Sequence, residues 1–203
     1  MVEEAIGKSI TALVKRDQAL ADEVIAGEAL INAKELEIAE DALKILALHQ
    51  PVASDLRFII AVLQVNNDLE RMGDLAENIA DRARQLAEMP LIRIPVDLME
   101  MADNVRRMVK DSLDALVNQD ADAARTVCER DDAVDEAHRE TYRLVQELMK
   151  ENTELIDQAV QFISVSRQLE RIADHATNIA EDVVFMAEGK VIRHREGSGR
   201  GQA

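Results

Sequence analysis

Aromatic side chains make up only 2% of this sequence and tryptophan is absent, so neither stacked rings nor aromatic-rich strands can build its core. A single cysteine, Cys128, excludes an intramolecular disulfide and fits a reducing cytosol. Seven glycines and three prolines leave little material for turns. No apolar run approaches the roughly 20 residues that a membrane-crossing helix needs. The opening "MVEEAIGKSITALVKRD" is charged throughout and lacks the basic-then-apolar layout of a signal peptide. Glycine-rich phosphate loops are missing, and so is Glu-x-x-His, which argues against a ferritin-like di-iron oxidase. Cys128 has no histidine at a spacing useful for nucleophilic catalysis. What remains is dominated by Ala, Leu, Ile, Glu and Asp, a composition for long helices with aliphatic cores. The formal charge of −16, from 24 basic and 40 acidic side chains, repels nucleic acid and anionic lipid. It attracts cations or a partner with a basic patch, although solubility is the plainer account of the bulk charge.

Helical periodicity is nearly continuous and predicts six helices, at 2–16, 18–49, 52–88, 96–118 and 121–150, with a sixth opened by "ENTE" and ending near Glu188. Asp17 and Asp120 are the expected N-caps, and Gly189 the expected C-cap. Pro51 in "HQPVAS" separates the second and third helices, and "MPLIRIP" holds the other two prolines. The fold expected is all-α: two similar three-helix bundles side by side, residues 1–90 and 91–190, with a disordered tail at 191–203. The first helix is short beside its neighbours, so the face it packs on is expected to be incompletely covered.

The two bundles are expected because one phrase occurs twice. "LERMGDLAENIADRA" begins at Leu69 and "LERIADHATNIAEDV" at Leu169, an offset of 100 residues (170 − 70 for the first acids). At about 100° per residue, Glu70, Asp74, Asn78 and Asp81 share one face of a helix. Glu170, Asp174, Asn178 and Glu181 repeat it. Met72, Leu75 and Ile79, with Ile172, Ala176 and Ile179, are left to face the interior. Acids at i, i+4 repel by a few tenths of a kcal/mol, and a helix built only for stability would alternate them with bases. Carboxylates beside an amide oxygen form a hard-ligand set for a divalent or trivalent cation. The preceding helix of each half can complete the set, with Asp131 and Asp135 in "ERDDAVDEAHRE", and Glu28 and Asn32 in "AGEALINAKE". The first half is thereby one carboxylate poorer. His138 returns to the same face as Asp131 and Asp135 and is a possible extra ligand, whereas His175 lies about 140° off the acid face. Arg71 and Arg171 are expected to make surface ion pairs. Solvated helix surface is the competing reading; the duplication, the like-charge spacing and the recurring Asn favour cation binding.

Two longer passages, "ALHQPVASDLRFIIAVLQVNNDLERMGDLAENIADRA" and "FISVSRQLERIADHATNIAEDVVFMAEGKVIRH", resemble the PhoU family of phosphate-transport accessory proteins. The paired "LER-x-x-D-x-x-x-N-I-A" copies and "QPVA-x-DLR" carry the resemblance over almost the whole chain. It implies two three-helix bundles, often dimeric, whose acid motifs bind metal clusters, iron or zinc in some members; magnesium and manganese remain open here. It also implies a cytoplasmic, non-enzymatic regulator acting at the inner membrane through partners. Those partners are a phosphate ABC transporter, through its ATPase subunit, and a sensor histidine kinase. The implied effect is negative modulation of both, restraining phosphate uptake and the phosphate regulon. On this pattern the motif acids are Glu70 with Asp74, Glu170 with Asp174, and Asp131 with Asp135, while Asn32 stands where an acid is usual beside Glu28. The family also carries about two to three more turns of first helix than this chain. Two alternatives are an accessory regulator of an ion-coupled phosphate permease, and a metal-dependent oxidase or hydrolase.

Overall fold

In the computed structural model, described over residues 1–92 and 97–192, the chain runs through seven α-helices and one 3-10 turn. The helices are α1 (Val2–Lys15), α2 (Gln18–His49), α3 (Ser54–Glu88), α4 (Leu98–Asn118), α5 (Ala121–Cys128), α6 (Asp131–Glu151) and α7 (Ile156–Glu188), with the 3-10 turn Thr153–Leu155 before α7. The expected tail, from residue 193 on, and residues 93–96 of the proline joint lie outside the described residues.

Local chemistry sets the ends of the helices. Asp17 accepts the Leu20 amide at 3.0 Å to start α2, and Asp120 accepts the amides of Asp122 and Ala123, both at 3.0 Å, to start α5. Gly189 closes α7 at φ 68°, its N–H on the Phe185 carbonyl at 2.8 Å. The third helix begins at Ser54 rather than 52. The chain must reverse within four residues after His49, and it does so with Gln50 at φ 45° and Ala53 at φ 51°, which keeps Val52 out of the helix.

The single helix expected over 121–150 is two. Glu129 N–H still reaches the Arg125 carbonyl at 3.2 Å, but Arg130 N–H bonds to Val127 at 3.0 Å and Ala133 N–H to Arg130 at 3.2 Å, so the ladder tightens to i→i−3 between the two helices. Neither Gly nor Pro marks the break. The readable signal is Asp131-Asp132, a pair of acids where the positive end of a new helix dipole is stabilised.

α1, α2 and α3 form one bundle, and α4, α5–α6 and α7 the other. The two meet mainly where α3 packs antiparallel on α7, and one apolar core runs through both. Met72, Ile79, Ile172 and Ile179 are fully buried in it, as the alternation of the repeated phrase requires. Gly73 lets α2 and α3 approach closely: a Cβ there would stand 3.1 Å from two carbons of Ile31. A cleft of about 250 Å³ lies between the start of α1 and α2, α3 and α4, lined by Val2, Ile31, Ile38, Asn66 and Leu113.

Candidate functional site

α2 lies along α3 in the first bundle as α6 lies along α7 in the second, and each pair brings its acids face to face. In the first pair, burial raises Glu70 above the usual carboxylate range, and so do Asp74, Glu35 and Glu28. Arg71 opposes them weakly. Glu77 is raised in the same way, by burial first and then by Glu28, Asp74 and Asp81. In the second pair, Asp174 is pushed up to about 7 although it stays partly open to solvent. Desolvation leads there, followed by the negative charges of Glu170, Asp131 and Asp135. The eight acids and amides singled out in the sequence therefore fall into two rows, Glu28, Asn32, Glu70 and Asp74 in one and Asp131, Asp135, Glu170 and Asp174 in the other.

The remaining candidates sit differently. Asn78 folds back on its own helix, donating to the Asp74 carbonyl at 2.8 Å. Asp81 is tied to Arg84 at 2.8 Å and Gln85 at 2.7 Å. Asn178 turns toward α3, with its amide 3.4 Å from Asp68. Glu181 stands near Cys128 and Asp182 and helps to raise both. His138 Nδ1 lies 2.8 Å from Ser166 Oγ, between α6 and α7. The same place in the first bundle holds Glu35 and Asn66, whose amide donates to the Glu35 carbonyl at 2.9 Å. The offsets agree with the repeat, 138 − 35 = 103 and 166 − 66 = 100.

Glu35 and Glu77 are acids beside the first row that the sequence reading left out. Positional alignment of the halves would have found Glu35 opposite His138, but Glu77 aligns with Thr177 and carries no repeat signal. A second omission is the polar seam between the bundles. Asp68 and His175 are buried, and His175 Nδ1 donates to Asp68 at 2.7 Å. Burial, together with Asp68 and Glu181, pushes Asp182 up to about 7. Cys128 is buried by α7, and burial with the charges of Glu181 and Asp131 pushes its thiol up to about 11. It is thus a poor nucleophile.

The donor chemistry of the rows suits a hard cation. Asn32 donates through Nδ2 to Glu28, while its Oδ1 is buried with no hydrogen-bond partner. An acceptor left bare among carboxylates is what an incoming cation would satisfy. Among the described residues, however, no three His, Cys, Asp or Glu side chains already converge on one point. The acids form rows rather than a finished cage.

A family model described as "PhoU domain" matches residues 1–83 and 98–183, one segment for each row. The chain belongs to the PhoU family. Among its relatives is the phosphate-specific transport system accessory protein PhoU homolog of Aquifex aeolicus, 40% identical over all of this chain and 91% of its own length. The homolog of Pseudomonas putida, under the same description, is 40% identical over 96% of this chain and 76% of its own. The crystal structure of PhoU from Pseudomonas aeruginosa superposes with a TM-score of 0.90 at 38% identity, covering 93% of this chain and 91% of that one. The phosphate transport system regulatory protein PhoU from Streptococcus pneumoniae gives 0.84 at 30% identity, over 95% and 90%.

Proposed function

We propose that this chain is an accessory regulator of a phosphate transport system. It would restrain a phosphate ABC transporter and hold its sensor histidine kinase in the repressing state when phosphate is plentiful. The supporting observation is the likeness to phosphate-specific transport accessory proteins across the full chain, both repeats included. The acid rows offer ligands without a paired nucleophile and base, and no helix among the described residues is long and apolar enough to cross a membrane. Association with the inner membrane would then come through its partners. Deletion of the gene in the source organism is expected to leave alkaline phosphatase and phosphate-uptake genes expressed in high phosphate. Unchanged repression would overturn the regulatory reading.

The rows would serve this role as cation sites. Glu28, Asn32, Glu70 and Asp74 would hold an ion in the first bundle, and Asp131, Asp135, Glu170 and Asp174 in the second. An ion there supplies positive charge between helices whose acids now repel. Elemental analysis of the purified protein is expected to find a transition metal, and Asp135→Ala with Asp174→Ala to remove the share held by the second row. Equal metal in that variant would count against the assignment.

A further inference from the structure

The two acid rows are not copies of one another. Glu35 and Glu77 stand beside the first row, close enough to act on Glu70 and to feel Glu28. At the matching places the second bundle has His138 (138 − 35 = 103) and Thr177 (177 − 77 = 100). One row is thus flanked by carboxylates and the other by an imidazole and a hydroxyl. Such an exchange matters to a cation. Carboxylate and carbonyl oxygens suit magnesium and manganese, whereas imidazole nitrogen suits zinc and iron(II).

His138 is held as a ligand would be. On α6 it follows Asp135 by three residues and Asp131 by seven, within about 60° and about 20° of their bearings. Its Nδ1 lies 2.8 Å from Ser166 Oγ on α7. The Ser166 hydroxyl donates its one proton to the Ile163 carbonyl at 3.1 Å, so toward the ring its oxygen accepts. The neutral imidazole therefore carries its proton on Nδ1 and leaves the Nε2 lone pair bare. Among the described residues Nε2 makes no hydrogen bond. One ring nitrogen tied to a fixed oxygen with the other left over is how metal-binding histidines are oriented. Ser166 is fully buried and lies four residues before Glu170, so the ring is pinned between the two helices that carry the second row.

The first bundle builds the same bridge from other atoms. Asn66 donates to the Glu35 carbonyl at 2.9 Å and stands 3.4 Å from Glu35 Oε1. Thr177 is an independent sign in the second. It is 4% exposed, and its Oγ1 has no hydrogen-bond partner. It lies three residues beyond Asp174, at the α7 position whose counterpart, Glu77, feels Glu28 and Asp74 across the first row.

We propose that His138 is a ligand of the second row and sets its selectivity. The second bundle then takes a nitrogen-preferring ion, zinc or iron(II), and the first an oxygen-preferring ion, manganese or magnesium. Ser166 is the positioning residue, which fixes the tautomer of the ring. The inference rests on the cation reading of the rows and adds that the two sites differ in kind.

The test uses the untagged full chain, stripped with a chelator, in two backgrounds that each keep one row. Glu70→Ala with Asp74→Ala keeps the second, and Asp135→Ala with Asp174→Ala keeps the first. Equilibrium dialysis against zinc or manganese, followed by elemental analysis, gives the ratio of the two affinities. The preference for zinc is expected to be about ten-fold or more greater in the second row than in the first. His138→Glu should remove that margin, Glu35→His should raise the preference of the first row, and Ser166→Ala should fall between parent and His138→Glu. With copper(II) as the probe, electron spin-echo spectra of the second row should show a coordinated imidazole that His138→Glu removes. The His138 and Glu35 exchanges each install the residue that the other bundle carries at that place, so both variants are expected to keep full helicity by circular dichroism. Equal zinc preference in the two rows, or an imidazole signal that survives His138→Glu, would overturn the inference and leave the cation reading standing. Neither ion bound by either row would overturn both.

Discussion

Asp68 and His175 form a buried hydrogen-bonded pair at the junction of the two bundles. Both are buried, and each is the other's short-range partner at 2.7 Å. A buried histidine that loses its acceptor keeps the desolvation cost and gains nothing in return. Asp68→Ala is therefore expected to destabilise the fold by about 2 kcal/mol, and Asp68→Asn, which keeps an acceptor oxygen, by clearly less. Urea denaturation followed by helicity measures both; equal effects would show that the pair contributes through shape alone. The pair was hidden in the sequence for a definite reason. The repeat draws attention to positions alike in both halves, whereas Asp68 aligns with Gln168 and His175 with Leu75. Divergence, not repetition, marks the contact between the halves.

Helix α5 has only eight residues, short enough that its cap matters more than its propensity. Asp120 satisfies two of its free amides, at Asp122 and Ala123. Asp120→Ala should cost about 1 kcal/mol, and at about 2–4 °C per kcal/mol for a chain of this size the change is visible in a melting curve. A melting temperature within error of the parent would mean that packing on α7 alone holds α5. Helix starts such as this were legible in the sequence because capping is local: Asp17 and Asp120 act within three residues of themselves. The acid pairing of α2 with α3 and of α6 with α7 was legible from spacing and repetition together. The break before Asp131 was harder to read, since it involves no turn former, both linking residues stay in right-handed helical geometry, and its one signal is the acid pair Asp131-Asp132.

Over the whole molecule, acid repulsion makes stability depend on pH in a direction that can be worked out. Asp182 and Asp174 are pushed up to about 7, and Glu70 and Glu77 are raised as well. A carboxyl with a raised folded pKa keeps its proton in the folded chain after the unfolded chain has released its own, so the folded state binds more protons. Stability then falls as pH climbs from the ordinary carboxylate range, about 4, to about 7, and the full penalty is in place above that. Glu4, Glu140 and Glu188 act in the opposite sense, drawn down by Lys8, Arg143 and Arg125. Their contribution is present above the ordinary range and lost only as pH falls through their lowered values. The two sets leave a maximum on the acid side of neutrality. The net charge of −16 adds self-repulsion of the same sign as the raised acids. The melting temperature is therefore expected to drop between about pH 5 and about pH 8 at low salt. Sodium chloride should recover the part due to exposed charge, since salt screens it within about 10 Å. Asp182→Asn should make the remaining slope shallower by that group's share, because the amide cannot ionise beside Asp68. A melting temperature that rises over this range, or one that Asp182→Asn leaves just as steep, would show that the seam is not where the repulsion is held.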